Sequence, residues 1–134
     1  MEYQRQVKIS VSLEATHSFM KEVVNLPIWT RFFKKCISCN DKIGEMETLI
    51  GKSLTSIQED HVGSLIKLLI CSKFAQREEQ ALVTIEGDYQ EANVVFYLKI
   101  PFEVSEEQQK KMVLNLEEEL RSLKEYLELK NGCS

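Results

Sequence analysis

The fold is decided by residues 105–131, which read SEEQQKKMVLNLEEELRSLKEYLELKN. Ser105 followed three residues later by Gln108 is a capping-box sequence, and it predicts the start of a helix. Apolar residues then recur mainly at spacings of three and four, as on one face of a helix; they are Met112, Val113, Leu116, Leu120, Leu123 and Leu127. Asn131 and Gly132 supply a stop. The predicted helix is about 35–40 Å long, which is enough to cross a whole sheet.

The N-terminal part of the chain has a different period. Polar and apolar residues alternate from Tyr3 to Glu14, and the apolar set on one face is Val7, Ile9, Val11 and Leu13. A period of two over this length predicts a half-buried strand.

Two short helices are predicted after this strand. Thr16 is a candidate N-cap of the first, because its side-chain oxygen can accept from an amide of the first turn. Pro27 is expected to end this helix, because proline lacks the amide hydrogen. A second helical piece then presents the densest aromatic patch of the chain; it contains Ile28, Trp29, Phe32 and Phe33, with Lys34 and Lys35 near its end.

Residues 36–100 are predicted to be a run of strands, separated by turns at glycines and at residues 88–91. The strand candidates are 36–40, 45–50, 53–59, 64–74, 80–86 and 93–100, of which 53–59 has the weakest pattern. Strand, two short helices, consecutive strands and one long helix is the order of an α+β domain. With no linker or internal repeat, residues 1–134 are expected to form one domain.

Composition and charge exclude several functional classes. The chain is 43% hydrophobic and 28% charged, which is typical of a globular protein. Its formal net charge of −4 gives no general attraction for nucleic acid, so no nucleic-acid partner is expected. The N-terminus lacks the apolar core of a signal peptide, and the longest apolar run, residues 65–71, is too short to span a bilayer. Four cysteines in such a chain predict reduced thiols and a cytoplasmic location.

Three stretches resemble the START-like (SRPBCC) superfamily, which includes polyketide cyclases and dehydrases, lipid-transfer START domains, pollen-allergen proteins and activators of a heat-shock chaperone ATPase. Residues 7–16 resemble its first strand leading into the first helix. Residues 25–29 read NLPIW and resemble its loop, in which tryptophan closely follows proline. Residues 116–128 read LEEELRSLKEYLE and resemble its closing helix. The resemblance implies a helix-grip fold over the full chain: a curved antiparallel sheet wrapped around the long C-terminal helix, with a cavity between them.

A cavity at this place is also expected from packing. A strongly curved sheet cannot lie flush along a long straight helix, so large side chains fill or line the gap between them. The candidate lining residues are Trp29, Phe33, Ile70, Phe74, Val83, Ile85, Phe96, Leu98, Met112, Leu116 and Leu120. The alternative is that the same side chains simply form the core, because apolar side chains at these spacings usually pack against one another.

Two of the four cysteines are spaced as in metal and redox sites, but the rest of the sequence does not support such a site. Cys36 and Cys39 form a CxxC pair, which could be a redox pair or half of a zinc site. A four-ligand zinc site needs a second pair, whereas Cys71 and Cys133 are isolated. In an extended strand, a separation of three also sends the two thiols to opposite faces. No metal, cofactor or stable disulfide is therefore expected.

Charged groups are interpreted as surface features. Residues 59–61 read EDH and could supply an acid–base group, but a polar turn explains them. His17 is interpreted as a capping or surface residue. The basic cluster of Arg31, Lys34 and Lys35 is interpreted as cations at a helix C-terminus. Residues 117–119, all glutamate, are placed on the solvated face of the long helix.

The preferred function is the non-catalytic binding of a hydrophobic small molecule or lipid, which the resemblance implies. An enzyme of the cyclase or dehydrase type is one alternative and would need polar groups in the cavity. Ser72, Thr84 and Tyr97 are the nearest candidates, and Tyr97 has the wrong strand parity relative to Phe96. A second alternative is a protein-interaction domain of the chaperone-activator kind that uses the outer face of the sheet.

Overall fold

The computed structural model describes residues 2–40, 42–49, 51–59, 65–72, 77–99 and 105–131. The fold is α+β, as the order of the sequence patterns predicts. Its elements are β1 (Glu2–Ile9), α1 (Leu13–Met20), a 3₁₀ turn (Val23–Asn25), α2 (Leu26–Trp29), β2 (Phe33–Cys39), β3 (Ile43–Thr48), β4 (Gly51–Glu59), β5 (Leu65–Ser72), β6 (Arg77–Gly87), β7 (Ala92–Lys99) and α3 (Glu106–Asn131). The seven described strands form one curved antiparallel sheet in the order β1-β7-β6-β5-β4-β3-β2.

The first strand is shorter than its alternating pattern suggests. β1 ends at Ile9 instead of continuing to Glu14. The reason is Ser12, whose Oγ accepts a hydrogen bond from the amide of Ala15 at 3.1 Å and so starts α1. The prediction that Thr16 caps this helix is therefore wrong. Thr16 is a buried residue inside α1.

The second short helix is only four residues long. Pro27 lies in the first turn of α2, where its missing amide hydrogen needs no partner. The helix ends at Trp29, and Phe33 already begins β2. Lys34 and Lys35 therefore lie on a strand, and the prediction that they complement a helix C-terminus is wrong.

All six strands predicted between residues 36 and 100 are present, with bounds that differ by up to three residues. The turn at residues 88–91 is also confirmed, because Asp88 Oδ1 accepts from the amides of Gln90 and Glu91 at 2.8 and 3.0 Å. Glycine is required just before it: a Cβ on Gly87 would lie 2.1 Å from the carbonyl oxygen of Glu91. Gly63 lies outside the described residues.

The long helix begins as predicted, with Ser105 Oγ accepting from the amide of Gln108 at 3.2 Å. Its buried residues are Gln109, Val113, Leu116, Leu120, Leu123 and Leu127. The prediction that Met112 belongs to this set is wrong, because its side chain is 36% exposed. Gln109 continues the face instead, four residues before Val113, and accepts from the Tyr3 hydroxyl at 3.0 Å. No described helix is apolar enough over a sufficient length to cross a membrane.

The helices cover one face of the sheet, called the inner face below. α3 packs against β1 and α2, and the 3₁₀ turn lies over β2, β3 and β4. Polar contacts also tie α3 to the N-terminal strand: Arg5 Nε lies 2.9 Å from Glu117 Oε1, and Glu128 Oε2 accepts from the amide of Ser10 at 2.8 Å. The core therefore lies between the inner face and the helices.

Candidate functional site

The candidate site is the interior between the inner face of the sheet and α3. Seven of the predicted lining residues are buried there and belong to one continuous hydrophobic cluster; they are Trp29, Phe33, Val83, Ile85, Phe96, Leu116 and Leu120. Leu98 is partly buried and packs against this cluster. Met112 lies outside it, while Phe74 and the side chain of Ile70 lie outside the described residues. The structure thus brings eight of the eleven predicted residues together.

Strand register explains how the sheet contributes its part. Val83 on β6 lies opposite both Ile66 on β5 and Phe96 on β7, so the three side chains form a row across the inner face. Ile85 lies opposite Val94 in the next row. Because cross-strand neighbours share a face, these rows form the apolar floor of the interior.

Polar residues that sequence reasoning missed lie on the same face, toward β3 and β4. Thr48, Ser53 and Thr55 are buried. Ser53 Oγ and Thr55 Oγ1 are 3.2 Å apart and form a hydrogen bond. The alternation of β4 is reversed, with hydroxyls inside and Leu54 48% exposed outside, which is why its pattern is weak in the sequence.

The polar candidates that the sequence did suggest are placed elsewhere. Tyr97 is 39% exposed on the outer face, as its parity predicts. Thr84 alternates with the inward-facing Val83 and Ile85, and is only half-buried. The side chain of Ser72 lies outside the described residues.

Two further buried polar atoms, both on α1, have no hydrogen-bond partner among the described residues. The Oγ1 of Thr16, a residue with no exposed surface, has no hydrogen-bond partner in this part of the chain. His17 Nε2 is likewise without one and lies 3.8 Å from Glu59 Oε2. His17 is therefore not a cap at the start of α1: it lies in the last turn of that helix, and its half-buried side chain faces the end of β4.

Arg31, in the loop after α2, contacts two glutamates of α3. The guanidinium of Arg31 pairs with Glu118 Oε2, and its backbone amide donates to the carboxylate of Glu119. Burial raises the pKa of Glu119 from 4.5 to about 7, against the opposing influence of Arg31. Placing Glu119 on the solvated face was therefore wrong. The basic cluster is also partly neutralised, because Lys35 Nζ lies 3.6 Å from Glu47 Oε2.

The CxxC pair is arranged differently from its prediction. Cys36 and Cys39 are both free thiols on the inner face of β2, next to Met46. A β-bulge between Cys36 and Ser38 adds one residue to the strand, which reverses the parity of everything after it. Burial, and then the neighbouring Cys36 thiol, raise the pKa of the Cys39 thiol to about 12.

An open groove of about 370 Å³ lies beside this pair, where β2 and β3 are joined. It is lined by Ser38, Cys39, Asn40, Ile43, Gly44, Glu45 and Leu54. Ile43 and Leu54 are exposed, so the groove has two apolar side chains among the polar residues of its lining.

No family model and no curated protein matches the sequence. Solved structures do match. A START superfamily protein from Mycobacterium smegmatis is similar with a TM-score of 0.70 at 15% identity, over 97% of this chain and 99% of that one. An AHSA1 protein from Silicibacter pomeroyi matches with a TM-score of 0.66 at 11% identity, over 98% and 100% of the two chains.

A third similar structure is the di-domain ARO/CYC protein BexL from the BE-7585A biosynthetic pathway. Its TM-score is 0.70 at 14% identity, over 96% of this chain and 47% of that one. Likeness at these identities establishes the fold. The chain has the helix-grip fold that these START-like proteins share, which confirms the fold implied by the resemblance in the sequence.

Proposed function

We propose that this protein binds a hydrophobic small molecule or lipid between the sheet and α3, without catalysing a reaction, in the cytoplasm. The observation that supports it best is the combination of a large apolar cluster with a buried hydroxyl, Thr16 Oγ1, that has no partner among the described residues. Leaving a buried hydroxyl unpaired costs about 1–3 kcal/mol, which a ligand oxygen would offset. The expected ligand has an apolar body and one hydroxyl or carbonyl group.

The absence of catalysis is proposed from the state of the hydroxyls. Within the described residues, the hydroxyls of Ser53 and Thr55 are hydrogen-bonded to each other and not to an acid or a base. A hydroxyl needs a positioned proton acceptor to act as a nucleophile or to relay a proton. The cyclase-type alternative therefore has less support than binding.

The direct test is native mass spectrometry of freshly purified protein, followed by extraction and identification of anything bound. Trp29 supplies a second readout, because it is the only tryptophan of the sequence and belongs to the same buried cluster as Phe96. A fatty acid, a sterol and an aromatic polyketide are each titrated against the ligand-free protein. A ligand that fits should change the tryptophan fluorescence saturably.

Variants separate binding from general stability. Phe96→Ala should weaken the fluorescence response, whereas Leu82→Ala, on the exposed outer face, should not. Thr16→Val keeps the shape and removes the unpaired hydroxyl, so it should stabilise the ligand-free protein and weaken binding of an oxygen-bearing ligand. Thermal melting of each variant controls for lost folding.

A negative result in both assays would argue against ligand binding. If nothing co-purifies and no saturable response appears with the three ligand classes, ligand binding is excluded for those classes and the interaction-domain alternative gains weight. That alternative would use the exposed apolar residues Ile37, Ile43 and Leu54.

A further inference from the structure

Three sulfur atoms meet where β2 pairs with β3. The Sγ atoms of Cys36 and Cys39 lie 3.5 and 3.4 Å from the Sδ atom of Met46. Both thiols are therefore placed to donate toward the same sulfur atom, Met46 Sδ. Met46 is fully buried, whereas both cysteines keep some exposure.

The backbone brings these atoms together in two ways. Ile37 is the extra residue of the bulge, so that Cys36 lies opposite Met46 while Cys39 lies opposite Gly44, all on one face. Gly44 then leaves room for the second thiol, because a Cβ at this position would lie 2.4 Å from Cys39 Sγ. The two thiols therefore meet at Met46 because of the bulge in β2 and because Gly44 has no side chain.

We propose that Cys36, Cys39 and Met46 form a binding site for a soft monovalent metal ion, copper(I). Thiolate and thioether sulfurs together select copper(I) among the biological metals. Zinc instead takes four ligands from thiolate, imidazole and carboxylate groups. The described residues contain no cluster of three His, Cys, Asp or Glu side chains that would complete a zinc site. This site is independent of the proposed binding of an apolar ligand.

The two separations from Met46 Sδ are close to those expected around a three-coordinate ion. An ion at the centre of a sulfur triangle with edges of about 4.0 Å lies about 2.3 Å from each sulfur, which is a normal metal–thiolate distance. The observed separations from Met46 need to open by about half an ångström, which the flexible methionine side chain allows. On binding, each thiol loses its proton to solvent, and the copper ion keeps its oxidation state.

An entry path is also present. Cys39 and Gly44 border the open groove at this end of the sheet, and Cys39 keeps some exposure, so one of the three proposed ligands lies next to solvent.

The test uses the full-length, reduced protein without oxygen, titrated with copper(I) in competition with a chromophoric copper(I) chelator. We expect one tightly bound ion per chain, and X-ray absorption should show three sulfur neighbours at about 2.3 Å. Met46→Leu preserves the side-chain volume and removes one metal ligand. Losing a group that only orients a metal ligand weakens metal binding by roughly 10–100-fold, so losing a ligand itself should weaken copper(I) binding by at least that much. Its spectrum should show two sulfurs.

The cysteines provide matched controls. Cys36→Ser and Cys39→Ser should each abolish tight binding, whereas the double variant Cys71→Ser, Cys133→Ser should keep the one-to-one stoichiometry. If a Cys36 or Cys39 variant fails to fold in a thermal melt, Met46→Leu and the wild-type X-ray absorption spectrum decide. The proposal is overturned if Met46→Leu binds like the wild type, if the Cys36 and Cys39 variants retain the ion, or if zinc(II) binds as tightly as copper(I).

Discussion

The buried carboxyl of Glu119 should make the stability of this protein fall as the pH rises toward neutrality. Its pKa is raised from 4.5 to about 7 by burial beside the loop after α2. Between these two pH values the folded state holds more protons than the unfolded state, so the free energy of unfolding decreases with increasing pH. The loss is complete above pH 7, where both states are ionised.

The size of this effect follows from the two pKa values. At about 1.4 kcal/mol per pKa unit, the difference between 4.5 and about 7 corresponds to about 3 kcal/mol. Glu119→Gln removes the ionisation and keeps an oxygen that can accept from the Arg31 amide. The variant should therefore match the wild type at about pH 4 and be more stable by about 3 kcal/mol at pH 8.

Urea denaturation at a series of pH values from 4 to 8 measures this difference. Glu118→Gln is the matched control, because Glu118 is the exposed neighbour and pairs with the same arginine. Its difference from the wild type should stay under about 1 kcal/mol at every pH, as for other exposed ion pairs. Parallel pH profiles for Glu119→Gln and the wild type would refute the assignment of Glu119 as a buried, weakened acid.

Three further predictions concern stability and are checked by denaturant unfolding. Leu120→Ala should cost about 2–5 kcal/mol because Leu120 lies in the buried face of α3, whereas Glu118→Ala should cost well under about 1 kcal/mol; equal losses would show that the face is wrong. Gly44→Ala should destabilise the protein, because its Cβ would lie 2.4 Å from Cys39 Sγ; pairing it with Cys39→Ala should restore part of the loss, and no restoration would contradict this cause. Ser12→Ala should cost about 0.5–2 kcal/mol through loss of the α1 cap, and an unchanged midpoint would contradict that role.

Much of the fold could be predicted from the sequence because the long helix and most strands carry strong periodic patterns. The helix face from Val113 to Leu127 repeats at three and four, and β1 alternates clearly. Boundaries were harder to place where two local preferences compete. Ser12 and Thr16 can both cap a helix, and only the structure shows that Ser12 does so. Met112 and Val113 are adjacent, so a helical period alone did not exclude Met112 from the buried face.

The site was predictable only in its apolar part. Trp29, Val83 and Phe96 follow ordinary burial patterns, whereas Ser53 and Thr55 face inward against the usual preference of hydroxyls for solvent. The convergence of Cys36 and Cys39 depends on a bulge, and nothing in the spacing of the two cysteines indicates one. Counting residues along a strand predicts which face a side chain lies on only up to the next β-bulge.

The order of the sheet has a consequence for the synthesis of the chain. β1 is made first, yet its hydrogen-bonding partner is β7, and Ile9 must find Ala92 across more than half of the sequence. The strands from β2 to β7 are joined consecutively and can pair with their neighbours as they leave the ribosome. The N-terminal segment has no such neighbour until β7 has emerged, and α3 can close over β1 only afterwards. We therefore expect the pairing of β1 with β7 to form late, and the folding rate to be limited by that long-range contact.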